Sequence, residues 1–153
     1  MKRSGRFSVA LHLLVFLDKQ SSGPATSELL AACVGTHAVV VRRTLAGLRR
    51  AGLVRSAGGH GGGWSLARHA SDISLRDVYA ALGERFLVAV DVPDPEAGCQ
   101  ISSAVSLALN EVLREADALL EVGLGRIRLA DVAARVQIGR HHHRGHGGAS
   151  NAG

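Results

Sequence analysis

The feature that most constrains the fold of this chain is a glycine turn, Val34-Gly35-Thr36, between two short apolar helices. Gly35 supplies the positive φ that commonly ends a helix. The first helix is predicted over residues 28–33, and the second begins at Thr36 as its cap and runs to about Ala51. Two short helices joined by three residues that include a glycine are typical of the helix-turn-helix motif.

A glycine-rich hairpin follows the second helix directly. Residues 53–56 and 64–67 are predicted as short strands, and residues 58–63 (Gly-Gly-His-Gly-Gly-Gly) form the turn between them. This turn lacks the Lys-Ser/Thr of a P-loop, and it leads into a strand, whereas nucleotide-binding glycine loops lead into a helix. The hairpin is therefore a candidate wing beside the helix-turn-helix.

Other segments supply the remaining helices. The sequence Ser74-Leu75-Arg76-Asp77 has the spacing of a capping box, which opens a helix to about Leu82. A broad apolar stripe predicts a long helix over residues 99–122, ended by Gly123 and Gly125. Shorter helices are predicted over residues 6–18 and 129–136.

Charge is divided unevenly along the chain, whose formal net charge is +5. Residues 1–70 carry ten Lys and Arg against two acidic residues, whereas residues 71–138 carry six Arg against eleven acidic residues. A basic half joined to an acidic half is what a nucleic-acid reader with a separate partner-binding module needs. Two solvated faces of opposite charge would give the same composition, so charge alone leaves both interpretations open.

The second helix of the motif is the candidate recognition helix, because such a helix reaches DNA base edges from its N-terminal turns. Arg42 and Arg43 lie just past those turns, and the donors of an arginine side chain suit guanine O6 and N7. We expect one of the two to face the groove and the other to hold a phosphate. The alternative is a solvated basic helix face, which the capped turn before it and the hairpin after it make the weaker interpretation.

Basic residues farther along are placed for the DNA backbone. Arg49 and Arg50 end the recognition helix, and Arg55 lies on the first strand, where phosphate contacts give affinity without base specificity. His60, at the tip of the wing, is either a minor-groove contact or a plain exposed turn residue. The residues predicted to contact DNA are Ser27, Thr36, His37, Ala38, Val39, Arg42, Arg43, Arg49, Arg55, His60 and Gly61.

Three segments carry a resemblance to a known family. They are residues 48–56 (LRRAGLVRS), 61–67 (GGGWSLA) and 73–78 (ISLRDV). Together they resemble the Rrf2 family of bacterial winged helix-turn-helix transcriptional regulators, and the resemblance extends over about residues 1–136. The recognition-helix segment 40–43 (VVRR) is similar to the branch of the family without an iron–sulfur cluster. The resemblance implies a homodimer whose long helices cross between subunits, and repression of transcription from palindromic operators.

The expected fold is mainly α with a small β-hairpin wing, a winged helix-turn-helix plus a long dimerisation helix. A winged helix-turn-helix DNA-binding domain is expected over residues 1–82 and a loop over residues 83–98. The dimerisation helix and a short C-terminal helix are expected over residues 99–138. Residues 139–153, rich in His and Gly, are expected to be a disordered tail.

Cysteine placement argues against a metal cofactor. Some members of the family bind an iron–sulfur cluster through three cysteines before the long helix, yet residues 83–104 contain one cysteine, Cys99, and no histidine. The cluster-free branch is therefore expected, with no cofactor and no metal site. Cys99 is a candidate redox sensor because a helix N-terminus favours a thiolate. Cys33 lies on an apolar helix face and is expected in the core.

With this resemblance, the sequence predicts a dimeric, sequence-specific DNA-binding regulator, a repressor, whose partners are double-stranded DNA and a second copy of the chain. Two alternatives stay open: a redox-responsive regulator that uses Cys99, and a protein–protein adaptor on a winged-helix scaffold. No catalytic motif of the hydrolase or zinc-protease type is present, and no run of about 18 apolar residues could span a membrane. We therefore expect a cytoplasmic protein that is not an enzyme. Five aromatic residues leave no visible site for an effector.

Overall fold

The computed structural model describes residues 5–83 and 100–136. The elements are α1 (Gly5–Lys19), α2 (Ser27–Val34), α3 (Ala38–Arg50), β1 (Val54–Ala57), β2 (Gly63–Leu66), a 3₁₀ turn (Ala70–Asp72), α4 (Leu75–Leu82), α5 (Gln100–Arg126) and α6 (Leu129–Arg135). This architecture confirms the predicted fold class, mainly α with a small hairpin. Cys99, most of the predicted loop and the predicted tail lie outside the described residues, and the predicted domain boundaries stay predictions.

Helix α1 lies at the centre of the hydrophobic core. It packs against α2, α3, α4, α6 and β2, because its apolar side chains cover more than one helix face. The largest fully buried side chains of the core come from α1, α2, α3, β1, α4, α6 and two connecting segments, and none comes from α5. They include Leu13, Leu14, Leu30, Leu45, Leu48, Leu53, Ile73 and Leu129.

The turn between α2 and α3 forms as predicted. Thr26 caps α2, since its Oγ1 accepts a hydrogen bond from the Leu29 N–H at 3.2 Å. Gly35 follows α2 with φ +70°, the left-handed region that glycine adopts without a Cβ clash. The two helices are bent from each other by 107° at this turn.

Helix α3 starts later than the sequence indicated. The Thr36 N–H donates to the Ala31 carbonyl at 3.0 Å and so closes the end of α2. His37 is the N-cap of α3, without a side-chain hydrogen bond, and the helix begins at Ala38. The prediction that Thr36 caps this helix is therefore wrong, because Thr36 is still part of the turn.

The hairpin is antiparallel and is also fixed on its outer edge. Val54 of β1 pairs with Leu66 of β2. On the other side of β2, the Trp64 N–H donates to the Ala25 carbonyl at 2.8 Å, and the Ala25 N–H donates to the Trp64 carbonyl at 2.9 Å. A Cβ on Gly63 would lie 2.6 Å from the Ala25 carbonyl oxygen, so only glycine fits where these backbones meet. The hairpin is thereby attached to the segment before α2.

Helix α4 opens with the predicted capping box. The Ser74 Oγ accepts from the Asp77 N–H at 3.1 Å, and the Asp77 Oδ2 accepts from the Ser74 N–H at 2.9 Å. Burial raises the pKa of the Asp77 carboxyl, but the hydrogen bonds from Ser74, with Arg68 and Arg128 nearby, outweigh burial and hold the pKa below its usual range. The cap is therefore ionised at neutral pH.

The last helix, α6, packs into the core that the N-terminal elements form. The Leu75 N–H donates to the Ile127 carbonyl at 3.0 Å, and the Leu129 N–H donates to the Ile73 carbonyl at 2.8 Å. Leu129 is fully buried, and α6 contacts α1. The chain segment after α5 thus returns to the winged helix and completes its core.

Helix α5 is longer than the sequence indicated. It runs to Arg126, so Gly123 and Gly125 lie inside the helix that they were expected to end. A glycine inside a helix costs only about 1 kcal/mol relative to alanine. Helix α5 packs along α4, where a Cβ on Gly125 would be 3.8 Å from the Arg76 side chain. This tertiary packing outweighs the local preference of the two glycines.

Cys33 is exposed, and the expectation that it is a core residue is wrong. Helix α2 turns Leu30 and Ala31 into the core, and Cys33 lies two positions after Ala31, nearly on the opposite side of the helix from it and close to the helix end at Val34. The Cys33 Sγ lies 3.7 Å from the Nε2 of His12 on α1.

Within residues 5–83 and 100–136, no single helix has the length and apolar character needed to cross a membrane. Helices α2 and α3 meet that test only when taken together, as a pair bent by 107°. Both helices contribute buried leucines to the core, Leu30 from α2 and Leu45 from α3.

Candidate nucleic-acid interface

Helix α3 has one face in the core and the opposite face in solvent. Val41, Leu45 and Leu48 have no exposed surface, and their spacing is that of one face of a helix. Val39 and Val40 are 66% and 42% exposed. The predicted contact residues His37, Val39, Arg42, Arg43 and Arg49 are all exposed, whereas Ala38 and Thr36 are half-buried.

The N-terminus of α3 has no side-chain cap. His37 stands at the N-cap position without a side-chain hydrogen bond, and its carbonyl accepts from the Val40 N–H at 2.9 Å. The first turn of a helix has N–H groups without partners in the helix and carries a partial positive charge. Such an end suits a phosphate oxygen.

Arg42 and Arg43 have different surroundings. The Arg42 Nη1 lies 3.2 Å from the Glu28 Oε1 of α2, in an ion pair whose side chains are both largely exposed. In the described part of the chain Arg43 has no such acidic partner, and it lines an open cavity between α1 and α3. One of the two arginines is expected to face the groove. Arg43 is the better candidate, because no carboxylate of the described residues pairs with it.

Two further arginines are oriented by serine hydroxyls. The Arg49 Nη1 donates to the Ser56 Oγ at 3.1 Å. The Arg55 Nε donates to the Ser65 Oγ at 3.0 Å, across a pair of facing residues in the hairpin. Both guanidinium groups therefore lie over the hairpin rather than extending freely into solvent.

Ser27 lies below the surface rather than on it. Ser27 is 7% exposed, and its Oγ accepts a hydrogen bond from the Trp64 Nε1 at 3.0 Å. The Ser27 side chain is thus held inside the fold by Trp64, and its contact with DNA stays a prediction. The bond joins α2 to β2 and adds to the backbone pairing between Ala25 and Trp64.

The tip of the wing is exposed and depends on glycine. His60 and Gly61 are both exposed, and Gly61 has φ +74°. A Cβ on Gly62 would lie 2.4 Å from the Ala57 carbonyl oxygen, so the chain can return into β2 only through a glycine there. This turn holds His60 at the exposed tip of the hairpin.

A polar joint connects the winged helix to α5. The Tyr79 Oη donates to the Asp117 Oδ1 at 3.2 Å between two buried side chains, and the Phe7 ring contacts the Tyr79 ring edge-to-face, with centroids 5.9 Å apart. Beside it, the Arg76 Nη2 lies 3.4 Å from the Glu121 Oε2. Hydrogen bonds are directional, so this joint fixes the angle at which α5 leaves α4.

Helix α5 exposes an apolar stripe on the side away from α4. Its buried residues are polar, Ser106 and Asp117. Its exposed apolar residues include Ile101 and Leu119, each 74% exposed, and their separation of five helical turns places them on one line of the helix. The members of this stripe are Ile101, Val105, Val112 and Leu119.

Two residues outside the predicted contact set belong to the surface beside α3. Arg6 of α1 and Val40 of α3 line the same cavity as Arg43. Val40 could have been found from its spacing, since residues 39, 40 and 43 share a helix face. Arg6 carries no such signal, because only the packing of α1 against α3 brings it there.

Comparisons with known proteins agree on one family. The chain matches the model of the Rrf2 family, described as "Iron-dependent Transcriptional regulator", over residues 3–135. It is 31% identical over 131 residues to YwnA of Bacillus subtilis (strain 168), which carries the provisional name of an HTH-type transcriptional regulator; the match covers 84% of this chain and 95% of YwnA. It is 38% identical over 80 residues to the HTH-type transcriptional regulator IscR of Vibrio atlanticus (strain LGP32), covering 52% and 46% of the two chains.

A solved structure supports the fold. The structure of CymR (YrzC), the global cysteine regulator of B. subtilis, matches with a TM-score of 0.60 at 23% identity, covering 90% of this chain and 99% of CymR. At that identity the likeness concerns the fold. The family model, by contrast, spans nearly all of the described residues. This chain belongs to the Rrf2 family of DNA-binding transcriptional regulators.

Proposed function

We propose that this chain is a homodimeric, sequence-specific DNA-binding regulator that represses transcription. The observation that carries the proposal is the solvent face of α3, which presents His37, Val39 and Arg43 while the opposite face forms the core. A helix held in this way can enter the major groove without disturbing its own packing. In the complex, Arg43 reads guanine O6 and N7.

The other basic residues bind phosphates in this proposal. Arg49 and Arg55 are already oriented by the hydroxyls of Ser56 and Ser65, so they lose less conformational freedom on binding. The N–H groups at the uncapped N-terminus of α3 donate to a phosphate oxygen, and the exposed wing tip at His60 lies against the adjacent minor groove.

The exposed stripe of α5 is the dimer interface in this proposal. Helix α5 buries polar residues against its own subunit and exposes four apolar side chains on one line. These side chains can leave water only by packing against a partner. A second copy offers the same stripe, as two-fold symmetry requires. The two recognition helices then meet half-sites about one helical turn of DNA apart, roughly 34–36 Å. A regulator that binds the chromosome acts in the cytoplasm, the location we propose.

We also propose that the chain holds no iron–sulfur cluster, although its family is described as iron-dependent. The chain has two cysteines, and Cys33 has one neighbouring donor, the His12 ring. Among residues 5–83 and 100–136, no group of three or more His, Cys, Asp or Glu could hold a metal ion. This donor set does not fit a cluster, which needs four ligands. Protein purified without oxygen should contain no inorganic sulfide and no stoichiometric iron, and the presence of both would contradict the proposal.

Duplex selection tests the DNA-binding proposal. The full-length chain is used to select duplexes from a random library, and the selected site is then titrated over a series of salt concentrations. We expect an inverted repeat to be enriched and the affinity to fall steeply with salt, because each neutralised phosphate releases counterions. Arg49→Gln should reduce the salt slope by about one, whereas Arg114→Gln, on the exposed surface of α5, should leave it unchanged. A chain that selects no sequence and shows a flat salt dependence would be a protein–protein adaptor instead.

A further inference from the structure

Four residues form the outermost line of α3, opposite its core face. Successive residues of a helix are turned by about 100° around its axis, so Val39 lies about 160° from the fully buried Val41. The other three residues of the line stand within about 40° of Val39. The line consists of Val39, Arg43, Ala46 and Arg50. Val39 is 66% exposed, and both arginines are exposed, so this line is the part of α3 that first meets a partner.

The N-terminal end of this line is apolar. Val39 is the second residue of α3, and a recognition helix reaches base edges with its N-terminal residues. Thymine is the base whose major-groove edge carries a methyl group, at C5. A valine gains by covering that methyl group, whereas against a phosphate or a polar base edge it removes a polar group from water without offering a hydrogen bond. The matching chemistry for Val39 in the groove is therefore a thymine methyl.

The charge around Val39 identifies the occupant of this surface as DNA. Helix α3 carries four arginines and no acidic residue among its 13 residues. Arg43 lies one turn after Val39, and no carboxylate of the described residues pairs with it. An apolar side chain surrounded by this much positive charge suits a partner that is polyanionic and presents methyl groups, and the major groove of a duplex combines both properties.

The spacing along α3 relates the two side chains to the base sequence. Val39 and Arg43 are four residues apart, which is about 6 Å along a helix axis, and stacked base pairs are about 3.4 Å apart. We propose that Val39 contacts the C5-methyl group of a thymine that lies one or two base pairs from the guanine that Arg43 reads. This assignment rests on the proposed function, and it makes Val39 a second residue that determines sequence specificity.

Val40 provides a matched comparison on the same helix. Both Val39 and Val40 line the open cavity of about 450 Å³ between α1 and α3, so a group of the DNA can approach either without displacing a neighbouring side chain. Val40, however, is turned by about 100° from Val39 and lies off the outermost line. It is also less exposed, at 42%. Only Val39 is therefore expected to reach a base edge.

The test removes single methyl groups from the DNA. The full-length chain first selects its site from an unmethylated library, in which thymine is the only base with a C5-methyl group. The loss of base preference in Arg43→Ala identifies the guanine. Each thymine of one half-site is then replaced in turn by deoxyuridine, which lacks the methyl group and keeps the same base pairing. We expect one replacement, one or two base pairs from that guanine, to weaken binding about fourfold, the value of one buried methyl group.

Two valine variants assign the methyl contact to a side chain. Val39→Ala should bind the thymine and deoxyuridine duplexes with equal affinity, because the partner of the methyl group is gone. Val40→Ala, the matched control, should keep the fourfold difference. Both positions are exposed, and alanine favours a helix more than valine does, so both variants should fold. Circular dichroism verifies this, and anisotropy titrations measure the affinities.

Every outcome decides the assignment. It is overturned if no thymine within two base pairs of that guanine depends on its methyl group, or if Arg43→Ala keeps its preference at every guanine. It is also overturned if Val39→Ala keeps the fourfold difference or if Val40→Ala removes it equally. In all these cases a selected inverted repeat with a steep salt dependence still supports the proposed DNA-binding function. A chain that selects no sequence contradicts both proposals, so the two failures are distinguishable.

Discussion

Helices α3 and α5 both expose valine or leucine side chains, but of the two only α3 fully buries an apolar face among the described residues. Helix α3 buries Leu45 and Leu48 fully, and its exposed face mixes Val39 and Val40 with arginines. The buried residues of α5 are polar, Ser106 and Asp117, and most of its larger apolar side chains are exposed. In the proposed function, the first pattern belongs to a helix that binds DNA, whereas the second belongs to a helix that packs against a second copy of the chain. The places of the two helices in the chain would not distinguish them, but the kind of residue that each one buries does.

The two helices also differ in the interaction proposed for each, which is electrostatic for α3 and hydrophobic for α5. The proposed contacts of α3 with DNA are charged, so they should weaken as salt rises. The proposed association through the α5 stripe would be driven by the removal of apolar surface from water, and sulfate or phosphate salts should strengthen it. Salt should therefore act on the two surfaces in opposite directions.

The largest effect is expected from a charge on the α5 stripe. Leu119→Asp places a carboxylate where the proposed partner packs and should convert the dimer to a monomer. Loss of two-site binding should then lower operator affinity by about 10²-fold or more. Sedimentation equilibrium and anisotropy titration measure the two quantities. Leu107→Asp is the matched control, an exposed leucine on a different side of α5, and a monomeric wild type would remove the basis of the prediction.

The next effect concerns the two adjacent arginines of α3. Arg43→Ala should lose about 1–3 kcal/mol of discrimination between the selected site and a scrambled duplex. Arg42→Ala should weaken both duplexes by a similar, smaller amount, because Glu28 already holds this side chain. Competition titrations with both duplexes provide the measurement. Equal loss of discrimination in the two variants would show that the ion pair does not decide which arginine reads bases.

A smaller effect is expected at the attachment of the wing. Trp64→Phe removes the donor to the Ser27 Oγ and should lower the free energy of unfolding by about 1 kcal/mol. Ser65→Ala removes the partner of Arg55 at an exposed site and should change stability little. Urea unfolding compares the two. If both variants lose the same free energy of unfolding, the hydrogen bond from Trp64 to Ser27 contributes no more to stability than an exposed one.

The smallest effect is the pH dependence of the Asp77 cap. The pKa of Asp77 is lowered in the folded chain. The contribution of its carboxylate to the free energy of unfolding is therefore fully present above the unfolded pKa of about 3.9. The contribution is lost as pH falls through the folded pKa. Asp77→Asn should therefore cost about 0.5–1 kcal/mol at neutral pH and nothing in strong acid. Thermal unfolding at several pH values measures this, with Glu111→Gln as the exposed control, and a constant difference at all pH values would contradict it.

Local sequence signals predicted most of the elements, and long-range packing decided the rest. The glycine turn at Gly35 and the capping box at Ser74 act through neighbouring backbone groups, so their residues alone are sufficient. The role of Ser27 depends on Trp64, far along the chain, which no local pattern reveals. Gly123 and Gly125 fail to end α5 because α4 supports that helix from outside.

The candidate site shows the same division. The exposed residues of α3 follow from helical spacing once the core face is identified. Arg6 joins them only through the packing of α1, and the pairing of Arg42 with Glu28 needs the geometry of α2 against α3. Sequence reasoning therefore found the residues of one helix and missed what neighbouring helices add to it.

The attachment of β2 to Ala25 has a consequence for engineering. Positions 58, 59 and 61 have open space around them, whereas Gly62 and Gly63 leave no room for a side chain beside the Ala57 and Ala25 backbones. The tip is thus an interchangeable module on a fixed base. Loops of other length and charge can be grafted between residues 58 and 61 if glycine is kept where φ is positive, at positions 59 and 61. In the proposed DNA complex such loops would retarget the protein toward different flanking sequences, while α2 and α3 keep their place.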